Sequence, residues 1–332
     1  MASQRFFDIV VSGPDMSGTS SQVGDIISYF EEKGLKVRDL RYGEADALFH
    51  AERFKDLNRD FRSLRECKEA LKNGDMSPSE TWGAFKEWED LVARKPHRYG
   101  ASCVENDVST YINPESADVW VLEEPSKRGL VRMVDMNMSQ FGSEHNPRIQ
   151  GYSYGDDRFH EFKRFREPLR DAGRIIIRSR SEESGAYQIR DEDYLPSGIP
   201  FDEYVRIPGN ELAFRNPPSI IFAVCAPGDW TEEEYKELKR QRSGDRALDD
   251  HELNPQYQLL VNRRYATDWL KEEFYKPAIE RVGGGYDLPR FVSVRMYGLG
   301  KQGGRAPNSK EYINAAIRDV LDAMPEVKER LS

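Results

Sequence analysis

Short apolar runs alternate with longer stretches of mixed polarity along this chain. The runs with the length and apolar content of strands lie at residues 6–11, 36–41, 118–122, 174–177, 219–224 and 290–294. Stretches with helical spacing of apolar residues separate them. Strands that alternate with helices form parallel sheets with helices on both faces. The pattern therefore predicts an α/β fold with three layers, α/β/α, and a mainly parallel sheet.

The stretches between these runs carry helix signals. Residues 22–33 have apolar positions at helical spacing, and Gly34 follows as a stop. Thr231 and Glu234 predict the start of another helix, because a Thr and a Glu at this spacing cap each other's amides. We expect further helices at 257–275 and 309–321, and a glycine-rich loop at 297–308.

Residues 50–98 interrupt the alternation and predict a helical insertion. Apolar residues recur at helical spacing on both sides of Asn73 and Gly74, which indicate a break between two helices. A helical hairpin packed on the core is the expected form. Its role is open between a structural one and a surface for a partner or a second copy of the chain.

The first strand leads into a loop framed by glycines, which consists of Gly13, Pro14, Asp15, Met16, Ser17, Gly18, Thr19 and Ser20. Its frame is that of a phosphate-binding loop, Gly-x-x-x-x-Gly-Lys-[Ser/Thr], with Thr19 at the lysine position. Main-chain amides of such a loop can hold a phosphate without the lysine, and Ser20 or Ser21 can offer a hydroxyl to Mg²⁺. The alternative is a glycine-rich turn that binds no ligand.

Composition and charge narrow the functional classes. The net charge of −9 and the mean hydropathy of −0.75 argue against broad binding to nucleic acid or membranes. No apolar stretch reaches membrane-spanning length, so we expect a cytoplasmic protein. Cys67, Cys103 and Cys225 are far apart, and the histidines have no metal-ligand spacing. A Mg²⁺ ion that arrives with a nucleotide is the expected metal.

Four segments carry motifs whose order along the chain is informative. They are residues 13–22, 154–158, 169–188 and the basic residues 239–246. The order resembles that of the thymidylate kinase family of nucleoside-monophosphate kinases. Residues 13–22 are similar to the family loop Gly-x-Asp-Gly-x-Gly-Lys-[Ser/Thr]-Thr-Gln, and residues 184–188 match Ser-x-Ala-Tyr-Gln. Residues 239–246 are placed like the family lid. The resemblance covers most of the chain except 50–98 and 297–308.

The resemblance implies a P-loop NTPase-like kinase domain over residues 1–332, with a lid-like segment at 226–255. It also implies ATP and Mg²⁺ as cofactors, transfer of a phosphoryl group to dTMP, nucleotides as substrates, and a homodimer. The residues that it assigns to the acceptor nucleotide are Asp15 at the sugar, Tyr154 on the base, Arg158 at the base edge or phosphate, and Glu124, Tyr187 and Gln188 around the pocket.

The chain departs from the family in its charges. Thr19 replaces the loop lysine, and Arg178, Ser179 and Arg180 stand where the family has Asp-Arg-Tyr. One account is that the positive charge has moved, because guanidinium groups suit phosphate oxygens and phosphoryl transfer depends mostly on positioning and electrostatics. The arginines expected to supply this charge are Arg178, Arg180, Arg240, Arg242 and Arg246.

Other interpretations of the same residues stay open. One alternative makes Tyr154 and Tyr187 core aromatics and Arg158 a member of a surface ion pair of little energetic value. Another makes the whole chain a nucleotide-binding sensor or scaffold with weakened catalysis, because Thr19 and Ser179 stand where the family has other residues. A kinase for another nucleotide or for a modified base in DNA is a variant of the first hypothesis. A P-loop hydrolase is the least favoured, because no clear strand ends in a suitably placed aspartate.

Overall fold

A computed structural model describes residues 7–14, 17–41, 113–124, 151, 154–155, 157–159, 161–243, 254–299 and 305–331. The predicted insertion at 50–98 and the residues Asp15, Met16 and Arg246 lie outside the described residues. The lid-like segment 226–255 is described up to residue 243, and within it the side chains of Arg240 and Arg242 are not described.

In the described part of the chain, six parallel strands form the central sheet, as the alternating pattern predicted. The strands are β1 (Phe7–Ser12), β2 (Val37–Asp39), β3 (Val119–Glu123), β4 (Ile175–Ser179), β5 (Ile220–Cys225) and β6 (Arg290–Arg295). Their order across the sheet is β2-β3-β4-β1-β5-β6. β1 is therefore central, with Val10 opposite Arg178 of β4 and Ile221 of β5. All six strands overlap the apolar runs that predicted them.

Helices pack on this sheet. Among the residues that the structure describes, the α-helices are α1 (Thr19–Glu32), α2 (Glu167–Asp171), α3 (Phe201–Arg206), α4 (Pro208–Phe214), α5 (Glu232–Ser243), α6 (Pro255–Ala266), α7 (Lys276–Arg281), α8 (Lys310–Ala323) and α9 (Pro325–Leu331). α5 begins with the predicted cap, because Thr231 N donates to Glu234 Oε2 at 2.8 Å and Glu234 N donates to Thr231 Oγ1 at 3.3 Å. Among the described residues, no helix is both long enough and apolar enough to cross a bilayer.

The two faces of the sheet bury separate sets of apolar side chains. Ile9 and Val11 of β1 pack with residues of α1 and α8 on one face. Val10 packs on the opposite face, with residues of α3, α4 and α6. Asp8 and Ser12 share the face of Val10, because side chains alternate along a strand. Two polar groups of the central strand are thus directed into an apolar core.

One sequence expectation is wrong. Residues 297–308 were expected to form a loop, but they contain an antiparallel hairpin of β7 (Tyr297–Leu299) and β8 (Arg305–Pro307). Asn308 holds its base, since its backbone N donates to Met296 O and its Nδ2 donates to Arg295 O, each at 2.7 Å. The glycine content predicted the turn and gave no sign of the short strands beside it.

Candidate functional site

The loop after β1 requires glycine at both ends of its frame. A Cβ atom at Gly13 would lie 2.0 Å from the Val224 carbonyl oxygen and 2.5 Å from Ser17 Oγ, so a larger residue has no room. Gly18 precedes α1 with a φ of 81°, in the left-handed region that disfavours a side chain. The loop is therefore pressed against the carboxyl end of β5 and turns directly into the helix.

The main-chain amides of residues 18–20, at the start of α1, are named the amide cradle. Ser21 N donates to Gly18 O at 3.0 Å and closes the first turn. The amides of Gly18, Thr19 and Ser20 have no acceptor within the described part of the chain. Amides left unpaired at a helix N-terminus favour a phosphate, because they donate hydrogen bonds and carry the positive end of the helix dipole.

The hydroxyl side chains of the loop differ in exposure. Ser17 is buried, and its Oγ has no hydrogen-bond partner among the described residues. Thr19, at the lysine position, is 9% exposed, whereas Ser20 and Ser21 are exposed. The part of the chain that the structure describes contains no group of His, Cys, Asp and Glu able to hold a metal ion. The described residues of the loop thus offer hydrogen-bond donors for an anion.

Gly13→Ala tests the fit of this loop. We expect the substitution to lower the free energy of unfolding by about 2 kcal/mol, because the new methyl group overlaps a backbone carbonyl that cannot rotate away. The matched control is Gly24→Ala in the interior of α1, where a Cβ meets nothing within 4 Å. It is expected to raise stability by about 0.5 to 1 kcal/mol. Urea denaturation measures both, and equal stabilities for the two variants would contradict the packing described here.

Arg180 lies beside the loop in a strained backbone conformation. Its φ is 67°, in the left-handed region, and it is the non-glycine residue with positive φ among those described. Its backbone N donates to Val11 O at 2.9 Å. Its guanidinium carbon lies 5.2 Å from the centre of the Tyr187 ring, and the Tyr187 hydroxyl donates to Gly13 O at 3.3 Å. A cationic side chain is therefore held one aromatic ring away from the loop.

The segment after β4 is fixed by side chains from α6. Residues Glu182–Tyr187 form a 3₁₀-helix. Arg264 Nη1 donates to Ala186 O at 2.8 Å and to Ile189 O at 3.1 Å, and the Tyr257 hydroxyl donates to Tyr187 O at 2.6 Å. These bonds position Tyr187, and with it the stacked Arg180.

A buried ionic cluster lies beneath this segment. Asp8 of β1 is fully buried and contacts two guanidinium groups. Its Oδ1 accepts from Arg178 Nε at 2.9 Å, and its Oδ2 accepts from Arg166 Nη2 at 2.9 Å. Arg178 also lies 3.3 Å from Glu182 Oε2, measured from Nη1. One carboxylate thus joins β1, β4 and the helical segment before α2.

A second buried pair extends the cluster towards the predicted acceptor pocket. Arg158 is 1% exposed, and its Nη2 donates to Glu124 Oε1. Its Nη1 donates to Asn210 Oδ1, and its Nη2 also lies 3.3 Å from Ser181 O. Arg158 is therefore a buried residue, and the alternative of a surface ion pair is wrong. The charge of Arg158 is matched by Glu124, so its guanidinium group is hydrogen-bonded to other residues of the protein and does not open into a pocket.

The contacts of Arg178 change its expected role. The sequence interpretation directed this arginine to phosphate oxygens, but its side chain is 2% exposed and is paired with Asp8 and Glu182. If a guanidinium group that neutralises buried carboxylates moved away, those carboxylates would remain buried without a counter-ion, which is strongly unfavourable. Arg178 is therefore part of the ionic cluster, and its contacts leave it turned away from any phosphate at the loop.

The pKa values of two neighbouring glutamates in the cluster are shifted in opposite directions. Burial opposes ionisation of Glu182, but Arg178 and Arg166 outweigh it and lower the pKa of Glu182 to about 2. Burial, together with the charges of Glu182 and Glu124, raises the pKa of Glu183 to about 7. Near neutral pH, Glu182 is charged while Glu183 is divided between its two forms.

Two further residues that were predicted at the acceptor nucleotide, Tyr154 and Gln188, are buried. Tyr154 is 9% exposed. Gln188 is fully buried, and both its Oε1 and its Nε2 have no partner among the described residues. A Cβ at Gly151 would lie 3.2 Å from Gln188 Oε1, so the amide faces the helical segment that carries Tyr154. A buried unpaired amide is costly unless a ligand completes its bonds.

The structure is similar to two solved thymidylate kinases. The enzyme from Ehrlichia chaffeensis superposes with a TM-score of 0.43 and 13% identity, over 95% of this chain and 98% of its own. The enzyme from Candida albicans gives a TM-score of 0.46 and 10% identity, over 97% of this chain and 94% of its own. No protein-family model and no curated protein sequence matches the chain.

Sequence reasoning missed most of the ionic cluster. Asp8 was included in an apolar strand, and the residues Arg166, Glu182, Glu183 and Asn210 were not singled out. The available signal was Asp8 itself, because a carboxylate within a fully buried strand requires a cationic partner. Its partners could not be named, since Arg178 is 170 residues away in the chain.

Proposed function

We propose that this protein is an ATP-dependent phosphotransferase that acts on a nucleoside monophosphate, with dTMP as the first acceptor to test. In this proposal the chain is one kinase-like domain, and residues 226–255 form a lid that brings Arg240, Arg242 and Arg246 to the phosphates. Closure of such a lid excludes water from the transferring group.

The observation that carries the proposal is the position of Arg180. Its guanidinium stacks on Tyr187, and Tyr187 is hydrogen-bonded to Gly13 at the start of the amide cradle. A left-handed backbone at a residue other than glycine costs about 1 kcal/mol, and such strain concentrates at functional sites. A cation beside a row of unpaired amides supplies the kind of charge that the lysine of a phosphate-binding loop would supply.

The residues fit the phosphates of a nucleotide. The amides of Gly18, Thr19 and Ser20 would hold the oxygens, and Ser20 would offer an exposed hydroxyl to a Mg²⁺ ion. When bound, Mg²⁺ neutralises charge on the transferring phosphates. This chain's own contribution is the cradle, the Arg180 cation and the tight seat of Gly13 on β5, which together orient the anion without any covalent step.

A second candidate function is a nucleotide sensor or scaffold of the same fold. It is favoured by the pairing of Arg178, because that cation serves the buried cluster and leaves fewer charges for catalysis. Both candidates bind a nucleotide at the same loop, so binding alone does not separate them.

One assay distinguishes the two candidates. The purified protein is incubated with Mg-ATP and each nucleoside monophosphate, and diphosphate products are separated and counted. We expect product with dTMP above the others. If no monophosphate is converted while ATP still raises the melting temperature, the sensor function is supported. If ATP neither reacts nor binds, both candidates are wrong.

Thr19→Lys tests whether the charge has moved. We expect less than a twofold gain in the rate of phosphoryl transfer, because Arg180 already occupies the electrostatic role of the lysine. The side chain at this position is almost buried, so a lysine must also find space along the loop. Thr19→Ser is the matched control for a change of size without charge. A gain of about a hundredfold or more would indicate an eroded loop and would contradict relocation.

A further inference from the structure

Glu183 adjoins both the ionic cluster and the end of the strand that leads into the amide cradle. It is fully buried, and its Oε1 accepts from Ser181 N at 2.7 Å. Its Oε2 has no hydrogen-bond partner among the described residues. Its carboxyl group lies against the hydroxyl of Ser12, the last residue of β1 before Gly13. The side chain thus reaches from the segment after β4 to the root of the loop.

Several elements direct polar groups at this carboxyl. The phenol of Tyr265 on α6 contacts both Ser12 Oγ, at 2.9 Å, and the backbone oxygen of Glu183, at 3.2 Å. The charged and titratable groups that face Glu183 from the elements around it are Glu182 beside it, Glu124 after β3, Arg178 of β4, Tyr204 on α3, Tyr265 on α6 and Tyr275 before α7. The cluster is completed by Asp8, which pairs with Arg178 and Arg166, and by Arg158, which pairs with Glu124, while Arg180 acts on Tyr265.

The charges of the cluster balance without Glu183. The guanidinium groups of Arg158, Arg166 and Arg178 are matched in number by three carboxylates, which are those of Asp8, Glu124 and Glu182. An ionised Glu183 is a fourth, surplus negative charge in a buried site. Burial and the neighbouring carboxylates accordingly hold its pKa near neutrality, at about 7.

We propose that Glu183 is a positioning residue whose protonation sets the affinity of the loop for an anion, so that phosphate binding draws a proton onto this carboxyl. The inference rests on the proposed function, since it concerns the same cradle. The neutral form leaves the cluster balanced and the root of the loop uncharged. The ionised form sets a negative charge behind Ser12, where it repels an anion held by the amides of residues 18–20.

The size of the effect follows from Coulomb's law. Two unit charges about 10 Å apart at an effective dielectric constant of about 20 repel enough to change affinity about tenfold. The affinity for an anionic ligand is therefore expected to fall about tenfold as Glu183 ionises, between about pH 6 and about pH 8.

The experiment compares the full-length protein with Glu183→Gln, which resembles the protonated form at every pH. The probe is the thiotriphosphate analogue of ATP, whose terminal group stays ionised over the range used. Isothermal titration calorimetry gives its Kd at each pH, and buffers of different ionisation enthalpy give the protons taken up. We expect the wild type to weaken about tenfold and to take up protons, and the variant to do neither. Glu192→Gln, at an exposed position, is expected to follow the wild type.

The outcomes separate the two levels of the proposal. Equal pH profiles for the wild type and Glu183→Gln, or binding without proton uptake by the wild type, would overturn the role of Glu183 alone. No binding of the probe at any pH would overturn the proposed function as well. The proton uptake of the wild type needs no variant, so it decides the matter even if Glu183→Gln does not fold.

A measurement of thermal stability without ligand tests the titration of the same Glu183 carboxyl group. Its folded pKa lies above its unfolded value, so its contribution to stability is full below the unfolded pKa and is lost as the pH rises through about 7. The melting temperature of Glu183→Gln relative to the wild type is therefore expected to rise with pH over this range. A constant difference would contradict the assigned titration.

Discussion

Asp8→Asn is expected to lower the free energy of unfolding by about 4 kcal/mol. Asp8 is fully buried and is the shared partner of Arg166 and Arg178. Asparagine keeps the size of the side chain but removes the charge, and two guanidinium groups are then left in a core without their counter-ion. Denaturation in urea, followed by circular dichroism, measures the loss.

The control for Asp8→Asn is a charge of the same sign on the surface. Glu32 forms a bidentate pair with Arg318, at 2.6 Å and 2.9 Å, but it is exposed. Glu32→Gln is expected to change stability little, because solvent screens such pairs. If Asp8→Asn were no more harmful than Glu32→Gln, the buried cluster would not hold the sheet to the helices as described.

Arg180→Asn is expected to reduce kcat/KM for phosphoryl transfer by about a hundredfold to a thousandfold. The variant removes the cation beside the cradle, while asparagine accepts the left-handed backbone at φ 67° better than most residues do. Folding is therefore expected to be preserved, and the loss is expected to fall on catalysis. Steady-state kinetics with Mg-ATP and dTMP measure it.

Two companion variants separate charge from geometry at this position. Arg180→Lys keeps a cation and is expected to retain more activity than Arg180→Asn. Arg180→Gly relieves the backbone strain and is expected to be more stable than the wild type by up to about 1 kcal/mol, although it loses the stacking on Tyr187. Arg215→Asn removes an exposed arginine that directly follows α4 and is expected to leave the kinetics unchanged. Full activity in Arg180→Asn would exclude the assigned role.

The sequence predicted the sheet well because its strands are buried on both faces. Near-continuous runs such as 219–224 leave little choice of structure, and β5 occupies Ile220–Cys225. The cap at Thr231 was predictable for a similar reason, since both partners lie within one turn. The hairpin after β6 was not predictable, because its strands are three residues long and the glycines between them dominate the pattern.

The candidate site was predicted only in part. The loop could be read from residues 13–20, since its chemistry is that of the backbone. The sequence did not predict the partners of Arg178, because its side chain pairs with Asp8 and Glu182, which only the fold brings to it. Arg180 and Arg178 are two residues apart and were grouped together, yet one lies in the sheet core and the other turns towards the loop. No spacing rule distinguishes them.

The central place of β1 has a consequence for how the protein is made. Its flanking strands are β4 and β5, which begin at residues 175 and 220. A nascent chain therefore carries an apolar strand with an unmatched carboxylate until these strands have been synthesised, since no neighbour exists to pair with it before then. Strand pairs that are far apart in sequence form slowly, and the intermediates that precede them are prone to aggregation. We expect the sheet to assemble only after β4 and β5 have been made, so that slower passage through the codons before β4 would favour aggregation, and chaperones that shield early segments would raise the yield of folded protein.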